Sequence, residues 1–363
     1  MLYGSNLPGA SLSGIAIAQA PWTVFMNGNF WVCVFFVISG FVAAWGSLSR
    51  ANDSAFLPQK LPGLLLRRYL RLTLPAFCVS ALVLLLLKLG LFTNVSFADR
   101  FDSSWAALWY REDIYSFRSL LMESILRLCF AGSDKFIVVL WTLRYLFYGY
   151  FLAVLPIGFC RGSSSSVLWI CGLLTAIGMV AGLRPCYFAC FPLGAALACL
   201  TRKGWMSPRP VPAALLILAG LLMGGFPTFF SPDNFYRFLD HAVLFTDAYA
   251  FWHVLGAGAL LAGLCQAPRL QGLLSLRIPQ WLGKNSFSLY LIHVPMIFTL
   301  SAGCALMLDR FGLDSYPLVT LLSLCVTLPF LFLFSSLFRR WVELPCARLS
   351  KRILSLNEDG TGI

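Results

Sequence analysis

Apolar residues in this chain come in long unbroken runs rather than in the narrow stripes of water-facing helices. Phe136 to Pro156, Ser286 to Leu308 and Pro317 to Phe338 are each about as long as a helix that crosses a bilayer. Phe30 to Leu48, Ala76 to Phe92, Val167 to Leu183, Tyr187 to Leu200, Pro212 to Phe226 and Tyr249 to Cys265 repeat the pattern. The short runs at 187–200 and 212–226 suit tilted helices, or helices sheltered around a cavity. The prediction is an all-α, polytopic transmembrane helix bundle of about nine spans, the runs just named. It divides into a non-spanning segment 1–29, a membrane domain 30–348 and a cytosolic tail 349–363.

Polar positions between the runs alternate in sign. Arg50, Lys60, Arg67, Arg68 and Arg71 follow the first run, and Arg161, then Arg202, Lys203 and Arg209, then Arg269, Arg277 and Lys284 return every second loop. The tail adds Arg339, Arg340, Arg348, Lys351 and Arg352. The intervening loops hold Asp99, Asp102, Glu112, Asp113, Glu123 and Asp134, then a lone Arg184, then Asp233, Asp240 and Asp247, then Asp309 and Asp314. Basic loops stay in the cytosol during insertion, so the tail and the Arg67–Arg71 stretch are assigned there. Asn94-Val95-Ser96 is then a glycosylation sequon on the non-cytosolic side, and Asn52-Asp53-Ser54 one on the cytosolic side.

This orientation starts the first span outside. Residues 1–29 have no charged n-region, and Gly14 to Phe25 is short and broken by Gln19 and Pro21. They do not read as a signal peptide. Either this short N-terminus is translocated unaided or a preceding helix is missing from this chain, and the second is the expectation.

Composition agrees with the pattern. Apolar residues are 59% and charged residues 12% of the chain, with a mean hydropathy of +0.79. A soluble domain needs about twice that charged fraction. The net charge of +12 lies at helix ends rather than along one stripe, which argues against a nucleic-acid partner. Most of the 12 cysteines lie inside apolar runs (Cys33, Cys78, Cys171, Cys199, Cys265, Cys304, Cys325), where a thiol acts as a small hydrophobe. Cys186 and Cys190 have no adjacent His or carboxylate, and the three histidines form no metal-binding pair. No metal is expected.

Four islands carry candidate chemistry. Phe35-Phe36-Val37-Ile38-Ser39-Gly40-Phe41 places Ser39 and Gly40 as a small notch where helices approach. Arg67-Arg68-Tyr69-Leu70-Arg71 sets Arg68 and Arg71 three residues apart on one helix face, suited to phosphates or to lipid headgroups. The third is Trp141-Thr142-Leu143-Arg144-Tyr145-Leu146-Phe147-Tyr148-Gly149-Tyr150-Phe151. The fourth runs from Leu282 to His293 and includes Tyr290. An ionisable group in an apolar helix is costly, which makes His293 a candidate. A neutral imidazole bonded to a backbone carbonyl is the plain alternative. Glu343-Leu344-Pro345 follows Arg339 and Arg340, where a surface ion pair is the simplest role.

In this order the islands resemble the acyltransferase-3 family of membrane-bound O-acyltransferases, with the fungal-type branch nearest, over about Phe30 to Arg348. The resemblance implies transfer of an acyl group, commonly acetyl, from acyl-CoA to a hydroxyl of a sugar, lipid or secondary metabolite. It implies Arg68 and Arg71 as the acyl-CoA-binding residues, with Ser39, Gly40, Trp141, Tyr290 and Glu343 as structural motif positions. It calls for no cofactor beyond acyl-CoA as co-substrate, and for residence in the endoplasmic reticulum or plasma membrane. Three features depart from the pattern. The family's further first helix, with a basic residue and then the histidine regarded as catalytic, has no counterpart here. Leu146 stands where relatives often have an acidic residue, and Tyr148 where the fungal branch tends to have Arg.

Hydroxyl acylation needs a general base, so His253 or His293 is assigned that role. His253 is preferred because Asp240, His241 and Asp247 are near it in sequence and can orient or charge it. The alternative is a truncated or degenerate, catalytically inactive relative. A small-solute transporter is disfavoured because transporters place several ionisable groups at mid-membrane. Here Lys88 and His293 are nearly alone. The Gly178/Gly182 and Gly220/Gly224 pairs suggest close helix contacts.

Overall fold

A bilayer core offers the backbone no water, so a spanning run must close its own hydrogen bonds as a helix. The computed structural model describes residues 21–49, 61–110, 115–160, 163–227, 235, 236, 239, 247–313 and 315–359. The Asn52 sequon, Asp240 and His241 lie outside the described residues. Among those described, all regular structure is helical. The long helices are α1 (Gly28–Leu48), α2 (Leu61–Lys88), the short α3 (Asn94–Phe101), α4 (Thr142–Phe159), α5 (Ser164–Val180) and α6 (Leu183–Arg202). They continue with α7 (Pro210–Gly224), α8 (Ala248–Cys265), α9 (Arg277–Met296), α10 (Ala302–Arg310), α11 (Tyr316–Phe338) and α12 (Leu344–Asp359).

Among the described residues, six stretches are long and apolar enough to cross a membrane: Gly28–Leu48, Pro62–Lys88, Val138–Phe159, Ala248–Cys265, Arg277–Arg310 and Tyr316–Arg352. Ser164–Val180, Cys186–Arg202 and Pro210–Gly224 are shorter apolar helices. Together these fall on the nine predicted runs, and the chain is an all-α polytopic bundle. Some helices begin well before their apolar runs. α2 starts at Leu61 rather than near Ala76, because hydropathy marks immersion whereas backbone hydrogen bonding continues beyond it.

The chain forms two compact units. One comprises residues 16–62 and 145–280 and contains α1 and α5 to α8. Here α1 and α6 meet backbone to backbone. A Cβ added at Gly40 would fall on the backbone of Phe191, and one added at Gly194 on Val37 O and Phe41 N. Small residues allow that approach. The Ser39 hydroxyl bonds within its own helix, to Phe35 O at 2.7 Å, so Gly40 alone forms the notch. Of the predicted glycine pairs, Gly178, Gly220 and Gly224 face neighbouring helices, against Ala189, the Gly256 carbonyl and the Phe30 ring, whereas Gly182 has nothing within 4 Å.

The other unit comprises residues 63–144 and 281–363, with α2, α3 and α9 to α12. Its described residues include π-helical turns at Met122–Arg127, Ile297–Ser301 and Arg339–Glu343. Such turns shift the bonding register and leave carbonyls to be satisfied from elsewhere. Pro295, which lacks an N–H, precedes the second turn. There Thr93 donates its N–H to Phe298 O at 3.0 Å and its hydroxyl to Thr299 O at 3.0 Å. In the first, the Tyr69 hydroxyl donates to Ile125 O at 2.6 Å. Arg100 forks onto Asp309, both N–O distances being 2.8 Å.

These contacts alter the picture of the loop between Thr93 and Lys135. Its start meets Phe298, whereas Ile125 and Cys129 meet Tyr69 and Thr73 on the arginine-bearing half of α2. Tyr69 and Lys88 are about 28 Å apart along a helix. The loop therefore returns along α2 instead of staying wholly at the non-cytosolic end. The Asn94 sequon is also corrected. Asn94 is fully buried, and its Nδ2 donates to Ala106 O at 3.0 Å and Trp109 O at 2.8 Å. A glycan cannot occupy that nitrogen in the folded chain. Endoglycosidase treatment is accordingly expected to leave the protein's mobility on a gel unchanged at Asn94.

Candidate functional site

The unit of 63–144 and 281–363 gathers most of the motif residues around α9. Residues two apart on a helix point nearly opposite ways, so Ser288 and Tyr290 reach different neighbours. Buried Ser288 donates its hydroxyl to Glu343 Oε2 at 2.5 Å. The π-turn at 339–343 brings that carboxylate to α9. Glu343 thus makes a short charge-assisted bond in place of the expected surface pair with arginine.

On the opposite side, the Tyr290 hydroxyl donates to Val139 O at 2.7 Å and lies 2.6 Å from Thr142 Oγ1. Thr142 itself donates to Val139 O at 2.9 Å. This cluster pins the 3-10 turn Val138–Trp141 and the start of α4 to α9. Trp141 is half-buried in that turn.

His293 stands one turn beyond Tyr290. Its Nδ1–H donates to Tyr290 O at 2.8 Å, the backbone bond that the sequence allowed as the plain alternative. That bond also has a chemical consequence. A proton on Nδ1 leaves the lone pair on Nε2, and Nε2 makes no hydrogen bond to the described residues. The ring is half-buried, held in the tautomer that can accept a proton.

His253 is placed differently, in the unit of 16–62 and 145–280. It is fully buried. Tyr187 donates its hydroxyl to Asn29 Oδ1 at 2.6 Å, which leaves Asn29 Nδ2 to donate to His253 Nδ1 at 2.8 Å. Nε2–H then donates to Phe226 O at 3.0 Å. Asn27 Nδ2, 3.0 Å from Nε2, donates to Gly224 O and Phe226 O at 3.1 and 3.2 Å. The tautomer follows from this network, and both ring nitrogens are committed. Asp247 does not orient the ring: it caps α8, accepting from Ala250 N at 2.9 Å.

Arg68 and Arg71 lie on α2 with Arg68 half-buried and Arg71 exposed. Arg68 is close enough to Cys129 to act on its thiol. Burial pushes that thiol up to about 11, while the Thr73 bond and the Arg68 charge pull it down. Nearby, Glu123 accepts from Arg127 at 3.0 Å and from Ser133 at 2.8 Å. Burial, with the Glu123 charge adding, raises the Asp134 carboxyl above the ordinary aspartate range.

Sequence reasoning missed Thr142 and Ser288 as partners of motif residues, and Asn27, Asn29 and Tyr187 as the shell of His253. The only signal available was their polarity within or beside apolar runs. Among the described residues, no group of three or more His, Cys, Asp or Glu is arranged to hold a metal.

The family model described as an acyltransferase domain matches residues 5–350 of this chain. The chain is also similar to a protein named acyltransferase R4, from a Phoma species. The two are 23% identical over 380 aligned positions, covering 90% of this chain and 81% of that protein. No solved structure matches.

Proposed function

Because this chain belongs to the acyltransferase-3 family, whose members are membrane acyltransferases, we propose that it transfers an acyl group, in the first instance acetyl, from acyl-CoA to a hydroxyl. The acceptor class is a sugar, lipid or secondary metabolite. The observation that carries this reading is His293, whose Nδ1–H is tied to Tyr290 O and whose Nε2 has no hydrogen bond among the described residues.

In the proposed step, Nε2 takes the acceptor's hydroxyl proton as the oxygen attacks the thioester carbonyl carbon. The new C–O bond forms, the C–S bond breaks, and the leaving thiolate recovers the proton from the imidazolium. No net proton is gained or lost. A positioned base of this kind contributes about 10²–10⁴-fold. Arg68 and Arg71 would hold the donor's phosphates, for which forked guanidinium contacts are well suited. Of the two histidines, the geometry favours His293 as base, since His253 would first have to exchange a bond to Asn29 or Phe226. His253 would then act as the centre of a buried polar network that orders its unit.

The endoplasmic reticulum and plasma membrane are the proposed locations. The test is to supply acetyl-labelled acetyl-CoA to membranes expressing the chain and follow label into non-CoA products. Transfer above that of membranes lacking the chain supports the reading. Absence of transfer with folded protein present would favour the catalytically inactive alternative.

A further inference from the structure

Among the described residues, one charged side chain has a buried polar atom without a hydrogen-bond partner: Arg144, through Nε. Leaving a charged donor unpaired away from water costs more than leaving a neutral one. Two further features make this position unfavourable for a cation. Arg144 lies in the first turn of α4, where the helix dipole favours negative charge. Among the described residues, neither Glu123 nor Asp134 pairs with it: Glu123 is engaged by Arg127 and Ser133, and the Asp134 carboxyl is influenced by Glu123 rather than by Arg144.

The surroundings are shaped for the arginine nonetheless. Gly132, with φ +72, closes the Leu128–Ala131 turn directly over its stem, and a Cβ there would lie 3.2 Å from Arg144 Cδ. The same turn contains Cys129, which bonds Thr73 and responds to the charge of Arg68. Arg144 therefore packs under the turn 128–132, and Arg68 stands on the α2 stretch whose Tyr69 and Thr73 meet Ile125 and Cys129. A single carboxylate needs one guanidinium, whereas a chain of phosphates can engage both.

We propose that Arg144 is an anion-binding residue of the donor site, taking a phosphate of coenzyme A together with Arg68 across the turn 128–132. This rests on acyl-CoA being the donor. The bound phosphate supplies the acceptor that the buried Nε lacks among the described residues.

The experiment uses full-length protein purified in detergent, with coenzyme A itself as probe. Affinity and thermal midpoint are measured for wild type, Arg144→Gln, Arg144→Lys and, as an exposed control in the other unit, Arg269→Gln. Arg144→Gln should bind coenzyme A about tenfold or more weakly, the order of one charge-assisted contact. Its ligand-free midpoint should be unchanged or higher, because the substitution breaks no hydrogen bond of the Nε that is unpartnered among the described residues. Arg144→Lys should recover only part of the affinity, lacking the fork, and Arg269→Gln should bind as wild type. A purely structural arginine would instead lower the ligand-free midpoint and leave affinity alone, which overturns the proposal. Equal affinity of wild type and Arg144→Gln overturns it while leaving acyl-CoA as donor intact. Failure of wild type to bind coenzyme A at all overturns the donor assignment, and this proposal with it.

Discussion

His293→Ala is expected to abolish acyl transfer while the protein still folds, and His253→Ala is expected to do the reverse. Among the described residues, the His293 ring bonds only within its own helix, Nδ1–H to the Tyr290 carbonyl. Its removal costs little packing specificity but deletes the Nε2 lone pair. Loss of a general base lowers turnover by about 10²–10⁴-fold. His253 instead joins Asn29 and Phe226 O. Deleting its ring leaves those groups facing a void, at about 1–3 kcal/mol for each unsatisfied group. The measurement pairs label transfer from acetyl-CoA with the yield and thermal midpoint of detergent-purified protein. Full activity in His293→Ala, or loss of activity in a normally folded His253→Ala, would reverse the assignment.

Alanine at Gly40 and at Gly46 should change stability in opposite directions although both lie on α1. At Gly40 the new methyl meets the backbone of Phe191, which cannot rotate away, so α1 and α6 must move apart. Overpacking of this kind costs about 1–3 kcal/mol and occasionally more. Gly194→Ala should do the same from the α6 side, where the methyl meets Val37 O and Phe41 N. At Gly46 nothing lies within 4 Å. There the gain in helix propensity of roughly 0.5–1 kcal/mol is unopposed. Thermal unfolding of the three variants in one detergent reads the difference. A Gly40→Ala protein as stable as Gly46→Ala would show that the two helices are not in backbone contact.

The particular elements show why some of this was legible in advance. Gly40 stood out as a small residue between large ones in Phe35–Phe41, and its use as a crossing point follows from size alone. Ser39 beside it looked equivalent, yet its hydroxyl turns back to Phe35 O. That choice of rotamer leaves no trace in the sequence. The fourth island marked Tyr290 and His293, but not that Thr142 and Val139, more than a hundred residues earlier, receive the tyrosine. Asp247 seemed placed to orient His253, being near in sequence. The groups that do so are Asn29, over two hundred positions away, and the Phe226 carbonyl.

The sequence by itself determined the spans, because hydrocarbon tolerates an unbonded backbone group nowhere and so forces about twenty apolar residues into each helix. It also determined the fold class and, through the ordered islands, the family. Only the tertiary structure decided which polar groups meet. It tied both ring nitrogens of His253 to protein groups, folded the segment after Thr93 back along α2, and, among the described residues, left Nε2 of His293 without a bond and Arg144 Nε without an acceptor. Pairings of that kind depend on helix register and rotation, which a continuous apolar run, equally hydrophobic on every face, does not record.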